Sequence, residues 1–277
     1  MKQVKLPGGE AVAALGQGTW QIAEDIAVRA EEIATLRLGL DMGLTLIDTA
    51  EMYGDGRSET LVGEALAGRR DEAFIVSKVY PHNATLAGTR KACTSSLKRL
   101  RTDRIDLYLL HWPGSAPLQE TVAALQALQQ EGKIRHWGVS NFDVALMRKL
   151  CKVPGGEKAA TNQVLYNLMR RGIEWDLLPW MHQQGLPLMA YSPIEQGALL
   201  RDKRLITFAQ QHALTPAQVA LAWLLAQDGV IVIPKTSHRA RLQDNATAAA
   251  VALTASQMRE LDLLFPPPGA AVPLAML

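Results

Sequence analysis

Features typical of secreted, membrane-spanning or disulfide-rich proteins are scarce in this sequence. Only two of its 277 residues are cysteine, Cys93 and Cys151, and their spacing matches no metal or redox motif. The longest strongly apolar stretch, around 219–226, is less than half as long as a membrane span. The N-terminal segment lacks the apolar core of a secretory signal. We therefore expect a reduced, cytoplasmic protein with no membrane partner.

A strong charge of either sign is also lacking. Lysine and arginine (29 residues) nearly balance aspartate and glutamate (27 residues), so the formal net charge is +2. A general nucleic-acid binder needs basic residues clustered on one face, and this balance argues against that class. Hydrophobic residues make up 48% of the chain, which is enough to bury a sizeable core. By length, the chain can form one large domain or two medium ones.

What the sequence does contain is a regular alternation of β-rich and helical segments. The strand-like segments lie at 15–18, 44–48, 74–78, 105–110, 137–140, 161–165, 188–191 and 230–234. Among the intervening helices, Thr215 and Thr254 each begin a capping box, and Gly132 is placed to end another. Eight strands alternating with helices over roughly 250 residues predict an α/β fold of the (β/α)8 TIM-barrel type. We expect one barrel domain at 1–265 and an irregular Pro/Ala-rich tail at 266–277.

A doubly wound dinucleotide-binding sheet is the alternative fold. That fold requires the pattern G-x-G-x-x-G after its first strand, where the glycines admit the pyrophosphate. The two segments that come nearest, at 16–18 and 54–56, both lack the third glycine. The barrel is therefore favoured.

Polar side chains recur at the predicted C-terminal ends of the strands, where a barrel of this type builds its active site. They are Asp48, Lys78, His111, Ser140, Asn141, Gln163, Tyr191 and Lys235. Taken singly, each has an ordinary structural explanation: an aspartate can cap a helix and a lysine can extend to water. Their convergence on one face is what indicates a site.

Proton donation is suggested by three of these residues, Asp48, Lys78 and His111, together with the nearby Tyr53. A phenol has a pKa near 10 and is a weak acid at neutral pH, but a neighbouring ammonium lowers that pKa. Lys78 would supply the ammonium, and Asp48 would keep it charged. Tyr53 would then act as a general acid while neutral His111 orients a carbonyl oxygen.

At these residues the sequence closely resembles the aldo-keto reductases. The matching segments are GQGTW (16–20), LIDTA (46–50), YG (53–54), IVSK (75–78), LYLLHW (107–112), GVSNF (138–142), NQ (162–163), AYSP (190–193) and IPK (233–235). Within the family, TAEMY (49–53) and NQVLYN (162–167) look most like bacterial methylglyoxal reductases. The resemblance implies a (β/α)8 barrel that binds NADP(H) without a Rossmann domain and transfers hydride between nicotinamide and a carbonyl carbon.

The resemblance also implies roles for individual residues. The catalytic residues would be Asp48, Tyr53, Lys78 and His111. The carboxamide of the nicotinamide would be held by Ser140, Asn141 and Gln163, and its ring would stack on Tyr191. The pyrophosphate would lie along the segment from Ser192 to Gly197. The 2′-phosphate would be held by Lys235, Thr236, Arg241 and Asn245. Two cations near a 2′-phosphate favour NADP over NAD. Arg239 is a further cation for which the pattern suggests no role, and no metal site is predicted.

Aromatic residues Trp20, Tyr80 and Trp112 fall where the family places the walls of the substrate pocket, beside His111. The connection after His111 (113–118) is short, which suits small aldehydes and tolerance of several substrates. Each aromatic side chain could instead serve ordinary packing.

Two other functions remain open at this point. One branch of the family forms a non-catalytic, nucleotide-binding subunit of membrane channels, and its members keep many of the same residues. A barrel aldolase could instead use Lys78 as a Schiff-base nucleophile. That lysine would have to be neutral, which Asp48 opposes. The oligomeric state cannot be predicted.

Overall fold

The structure, a computed structural model of the chain, describes residues 2–277. In this range the strands are β1 (Gln3–Lys5), β2 (Ala11–Ala13), β3 (Gln17–Gly18), β4 (Leu46–Asp48), β5 (Phe74–Val79), β6 (Ile105–Leu110), β7 (Ile134–Ser140), β8 (Asn162–Leu165), β9 (Leu188–Tyr191) and β10 (Val230–Val232). The helices are α1 (Arg29–Asp41), α2 (Arg57–Ala65), α3 (Leu86–Leu100), α4 (Leu118–Gln130), α5 (Val144–Cys151), α6 (Leu177–Gln183), α7 (Lys203–Gln211), α8 (Pro216–Ala226), α9 (Arg239–Thr247) and α10 (Ala255–Leu264).

Strands β3 to β10 form one parallel sheet in which each strand pairs with the next along the chain. The sheet closes on itself because Gly16 N–H donates to the carbonyl of Val232 at 2.9 Å and Gly18 N–H donates to that of Pro234 at 2.9 Å. A Cβ at Gly16 would lie 2.8 Å from the backbone oxygen of Leu46 in the neighbouring strand β4, so only glycine fits at this position. The predicted (β/α)8 barrel is confirmed, and the glycines at 16–18 serve strand packing.

The strands are hydrophobic because helices cover the outside of the barrel and side chains fill its inside. All six residues of β5 and all six of β6 are buried. The predicted strand ends differ from the observed ones by up to a few residues; β7, for example, begins at Ile134 instead of 137. The apolar pattern shows reliably that a strand is present. It shows less reliably at which residue the hydrogen bonding of that strand ends.

The N-terminal hairpin of β1 and β2 was not predicted. It is antiparallel, pairs Val4 with Val12, and buries Val4, Leu6 and Val12 in the core. Three-residue strands are too short to show the alternation that identifies a strand in a single sequence.

Helix ends follow the predicted signals. Thr215 and Thr254 both form capping boxes, at the starts of α8 and α10. Gly132, with a φ of +71°, follows the end of α4. Local side-chain chemistry therefore sets these ends.

Residues 266–277 contain no helix or strand. The segment lies against the barrel: Leu274 packs on the core, and Leu277 N–H donates to the hydroxyl of Tyr191 at 3.4 Å. Its separation from the domain at 1–265 stays a prediction. Among residues 2–277, no helix combines the length and the apolar character that a membrane crossing requires.

Candidate active site

Three titratable side chains meet at the C-terminal ends of neighbouring strands. Asp48 is the last residue of β4, Lys78 is the penultimate residue of β5, and His111 directly follows β6. All three are buried, and Lys78 has no exposed surface at all. Because parallel strands end on one side of the barrel, side chains far apart in the sequence converge there.

Lys78 is the centre of this group. Its Nζ donates to Asp48 Oδ1 at 2.6 Å, to the carbonyl of Thr49 at 2.9 Å and to the hydroxyl of Tyr53 at 3.1 Å. An ammonium has three N–H donors, so all of them have partners. This arrangement fixes both the position and the charge of Lys78.

The pKa of Lys78 lies above its usual value. Burial disfavours the charged form, but the charge of Asp48 and the hydroxyl of Tyr53 outweigh that cost. The expected role of Asp48, to keep the ammonium charged, therefore agrees with the geometry.

The pKa of Tyr53 differs from the expectation. Lys78 was expected to lower it and does so, but the net effect of the surroundings is to raise it. Burial of the phenol is the largest cause, and it outweighs the attraction of Lys78; the charge of Asp48 raises the pKa further. Tyr53 consequently holds its proton at neutral pH, as a donor must, with a cation 3.1 Å from its oxygen to stabilise the phenolate that forms.

His111 is neutral. Burial, and then the charge of Lys78, lower its pKa to about 2. Its ring meets that of Tyr53 edge-on, with centroids 5.9 Å apart. A neutral imidazole can donate one hydrogen bond to a carbonyl oxygen held beside the phenol.

Gln163, in β8, contacts both Asp48 and Ser140. Its Nε2 donates to Asp48 Oδ2 at 2.7 Å, and its backbone oxygen accepts from Ser140 Oγ at 2.8 Å. The second oxygen of Asp48 thus also has a partner. The family resemblance assigns Gln163 to the nicotinamide but did not reveal this contact, because Gln163 and Asp48 lie 115 positions apart in the sequence.

Asn141 and Tyr191 form the adjoining part of the site. Asn141 has a φ of +60°, its Nδ2 donates to the carbonyl of His111 at 3.1 Å, and its Oδ1 accepts from the Tyr191 hydroxyl at 3.0 Å. A left-handed backbone at a residue other than glycine is held by such contacts. Amide and hydroxyl groups therefore lie side by side near the catalytic group, which fits a primary carboxamide.

The segment from Ser192 to Gly197 is a tight loop after β9. Ser192, Glu195 and Gln196 all have a positive φ, between 48° and 51°. Asn167 Nδ2 donates to the carbonyl of Ser192 at 2.9 Å and to Glu195 Oε2 at 2.7 Å. Sequence reasoning missed the role of Glu195 in this loop, because its partners lie in the connection after β8.

The segment expected to hold the 2′-phosphate follows β10. Lys235 and Thr236 are half-buried, Arg241 is exposed, and Asn245 is buried in α9. Among the described residues, Arg241 makes no ion pair. Burial lowers the pKa of Lys235, although Glu32 and Glu24 oppose that change. These groups leave positive charge available for an anion.

Arg239, for which no role was expected, pairs with Glu31 of α1 at 2.9 Å. Both side chains are about half exposed, so this pair contributes little to stability.

Two of the three proposed wall residues pack together beside His111. The rings of Tyr80 and Trp112 meet edge-on at 5.5 Å, and Trp112 lies 4.7 Å from the ring of His111. Tyr80 is also fixed through its N–H, which donates to Glu51 Oε1 at 2.7 Å. Trp20 is 37% exposed and has no ring partner among the described residues.

The chemistry available is protonation of an oxygen by Tyr53 beside a neutral imidazole. Within residues 2–277, no three His, Cys, Asp or Glu side chains cluster so as to hold a metal ion. The amide and hydroxyl groups at Ser140, Asn141 and Gln163, together with the cations at Lys235 and Arg241, fit the two ends of a phosphorylated dinucleotide.

Comparisons of the sequence and of the structure with known proteins match this chain to members of one family. A family model described as "Aldo/keto reductase family" matches residues 14–264. The chain is 50% identical over 280 residues to methylglyoxal reductase YeaE of Escherichia coli, covering 99% of each chain, and 34% identical to glyoxal reductase of Bacillus subtilis, covering 94% and 92%. An aldo/keto reductase from Klebsiella pneumoniae, solved in complex with NADP and acetate, is 48% identical, covers 100% of this chain and 99% of its own, and has a TM-score of 0.97.

Proposed function

Because the chain belongs to the aldo/keto reductase family, we propose that it reduces small aldehydes and dicarbonyls, with methylglyoxal as a substrate, using NADPH. The reaction is the NADP-dependent reduction of a carbonyl group to an alcohol. Identity with the methylglyoxal and glyoxal reductases supports the substrate class. The scarcity of cysteine supports a reduced, cytoplasmic setting.

The contact of the Lys78 ammonium with both Asp48 and the Tyr53 hydroxyl carries this proposal. When bound, the nicotinamide supplies the hydride that goes to the carbonyl carbon. Tyr53 gives its proton to the carbonyl oxygen, and the resulting phenolate is stabilised by Lys78. Neutral His111 orients the oxygen by a hydrogen bond, and the burial of Asp48, Lys78 and His111 keeps water away from these side chains.

The remaining site residues would bind and orient the cofactor. Ser140, Asn141 and Gln163 would hydrogen-bond the carboxamide, and Tyr191 would stack on the ring. Ser192 to Gly197 would follow the pyrophosphate. Lys235, Thr236, Arg241 and Asn245 would hold the 2′-phosphate, because a doubly charged phosphate favours charge-assisted partners.

The two alternatives have less support. A Schiff-base aldolase needs a neutral lysine, whereas Lys78 is paired with Asp48 and its pKa is raised. A non-catalytic nucleotide-binding subunit could keep the same contacts, but the 50% identity with a methylglyoxal reductase over 99% of both chains favours an enzyme.

Turnover of methylglyoxal with NADPH tests the proposal, with the wild type compared with Tyr53→Phe. The variant keeps the ring but removes the proton donor, so kcat should fall by about 10² or more. Tyr108→Phe is the matched control, because it removes a fully buried phenol to which no role in the site is assigned and whose hydroxyl has no hydrogen-bond partner among the described residues, and it should keep near-normal kcat. Both variants should bind NADPH as the wild type does.

Two results would contradict the proposal. Near-normal kcat in Tyr53→Phe would mean that the proton comes from another group. A wild-type protein that binds NADPH but turns over no aldehyde of a broad panel would support the regulatory alternative.

A further inference from the structure

Glu32 is a buried carboxylate outside the catalytic group, in the first turn of α1. It is 3% exposed. Its Oε2 accepts from the backbone N–H of Ala23 at 3.0 Å, and its Oε1 accepts from the hydroxyl of Ser237 at 3.2 Å. Burying a carboxylate is costly unless hydrogen bonds replace water, so both contacts matter to its position.

The two partners belong to different parts of the proposed site. Ala23 lies in the loop after β3, three residues beyond Trp20 of the pocket wall. Ser237 lies in the segment after β10, two residues beyond Lys235 at the proposed phosphate position. One side chain therefore joins the substrate end of the site to the adenosine end.

The loop that carries Trp20 depends on being held. Gln21 and Ala23 have φ angles of +58° and +65°, in the left-handed region that residues other than glycine seldom adopt. Such a conformation persists where surrounding contacts impose it. The bond from Ala23 N–H to Glu32 is such a contact.

The segment after β10 has further contacts with α1, but the α1 residues that make them do not contact the loop that carries Trp20. Thr35 Oγ1 donates to the carbonyl of Ser237 at 3.3 Å, and Arg239 pairs with Glu31 at 2.9 Å. Glu32 alone among these α1 residues contacts the Trp20 loop as well. Its charge also acts on Lys235, where it opposes the effect of burial on the pKa of that lysine.

We propose that Glu32 is a positioning residue that couples the 2′-phosphate position of the cofactor site to the Trp20 wall of the substrate pocket. The inference rests on the proposed function. A 2′-phosphate held by Lys235 and Thr236 fixes the segment that carries Ser237, Ser237 fixes Glu32, and Glu32 holds the Trp20 loop in its left-handed turn. Binding coupled in this way is reciprocal, so the phosphate should strengthen the binding of the aldehyde.

The test is the KM for an aromatic aldehyde measured with saturating NADPH and with saturating NADH. In the wild type the KM should be lower with NADPH, by about fivefold, the lower end of usual coupling between sites. In Glu32→Ala the two KM values should become equal. Glu31→Ala is the matched control: it removes the neighbouring carboxylate, which contacts only Arg239, and should keep the wild-type ratio.

Ser237→Ala keeps the test decisive if Glu32→Ala folds poorly. It removes one hydroxyl from a half-buried position and breaks the same link, so it should also bring the ratio to one. Glu32→Gln keeps an oxygen acceptor and should retain part of the ratio. A purely structural role would change stability and kcat equally with both cofactors and leave the ratio unchanged.

An unchanged ratio in both Glu32→Ala and Ser237→Ala would overturn the coupling, as would a wild-type ratio of one. Either result is compatible with efficient NADPH-dependent reduction and so leaves the proposed function intact. Absence of turnover would instead contradict the proposed function.

Discussion

The proposed catalytic end of the site and its proposed adenosine end differ in how their charged groups are paired. Lys78 is fully buried and its three donors all have partners, including Asp48 at 2.6 Å. Lys235 is only half-buried, and Arg241 is exposed without an ion pair among the described residues. The first group is complete within the protein, whereas the second has unused positive charge.

This difference follows from what each end must do. A charge taken out of water needs a protein partner, and such a pair, once formed, keeps its geometry through a reaction. A site for a phosphate needs cations that are free to form charge-assisted bonds with the ligand. Stability should therefore depend on Lys78, the one cation of the catalytic end, and cofactor preference on Lys235 and Arg241.

Lys78→Met should give the largest effect. It leaves the buried Asp48 without its cation, and breaking a buried pair in this way costs about 3–5 kcal/mol of unfolding free energy. Lys235→Met makes the same change at the adenosine end and should stay within about 0.5 kcal/mol of the wild type. Denaturant unfolding measures the free energy of unfolding of both variants. Equal losses in the two would contradict the proposed difference between the two ends of the site.

The pH dependence sharpens the same comparison. The pKa of Lys78 is raised by folding, so its stabilising effect is complete below about pH 10.4, the unfolded value, and is lost as pH rises through the folded value. The difference in unfolding free energy between wild type and Lys78→Met should therefore be constant from neutral to mildly alkaline pH and shrink at higher pH.

The pH–rate profile gives a second measurement. Removing Lys78 should move the limb that reports the ionisation of Tyr53 to still higher pH, because Lys78 lowers the pKa of that phenol.

Replacing both Lys235 and Arg241 with alanine should affect the cofactor and leave the fold intact. Each charge-assisted contact with a phosphate contributes about 1.5–3 kcal/mol, so the KM for NADPH should rise more than tenfold. The KM for NADH, which has no 2′-phosphate, should change little. Steady-state kinetics with both cofactors give the two KM values. Equal rises in the KM for NADPH and the KM for NADH would mean that Lys235 and Arg241 do not bind the 2′-phosphate.

The smallest effects are expected at the pocket wall, where the contrast between paired and unpaired groups recurs. Trp112 packs against Tyr80 and His111, whereas Trp20 has no ring partner among the described residues. Replacing either with alanine should change the ranking of aldehydes by kcat/KM. Only Trp112→Ala should also lower stability, by about 0.5–1.5 kcal/mol for the lost ring contacts. An unchanged ranking in both variants would show that they serve packing alone.

The sequence by itself determined the barrel, and it allowed the members of the proposed catalytic group to be named. Buried parallel strands need continuous apolar segments, capping residues act over one helical turn, and a barrel places its polar strand ends on one side. These are local or periodic properties, so a single sequence displays them. Asp48, Lys78 and His111 could be named for that reason, and the structure brings them together.

Only the tertiary structure decided how these groups affect one another. The raised pKa of Tyr53 is a balance between burial and two opposite charges, and neither the burial nor the distances can be read from the order of residues. The contact of Gln163 with Asp48 spans 115 positions, and that of Glu32 with Ser237 spans 205. Such contacts arise because the barrel closes between β3 and β10 and brings distant loops to one face. Hydrogen bonds there are sensitive to changes in distance of a few tenths of an ångström, which the order of residues does not reveal.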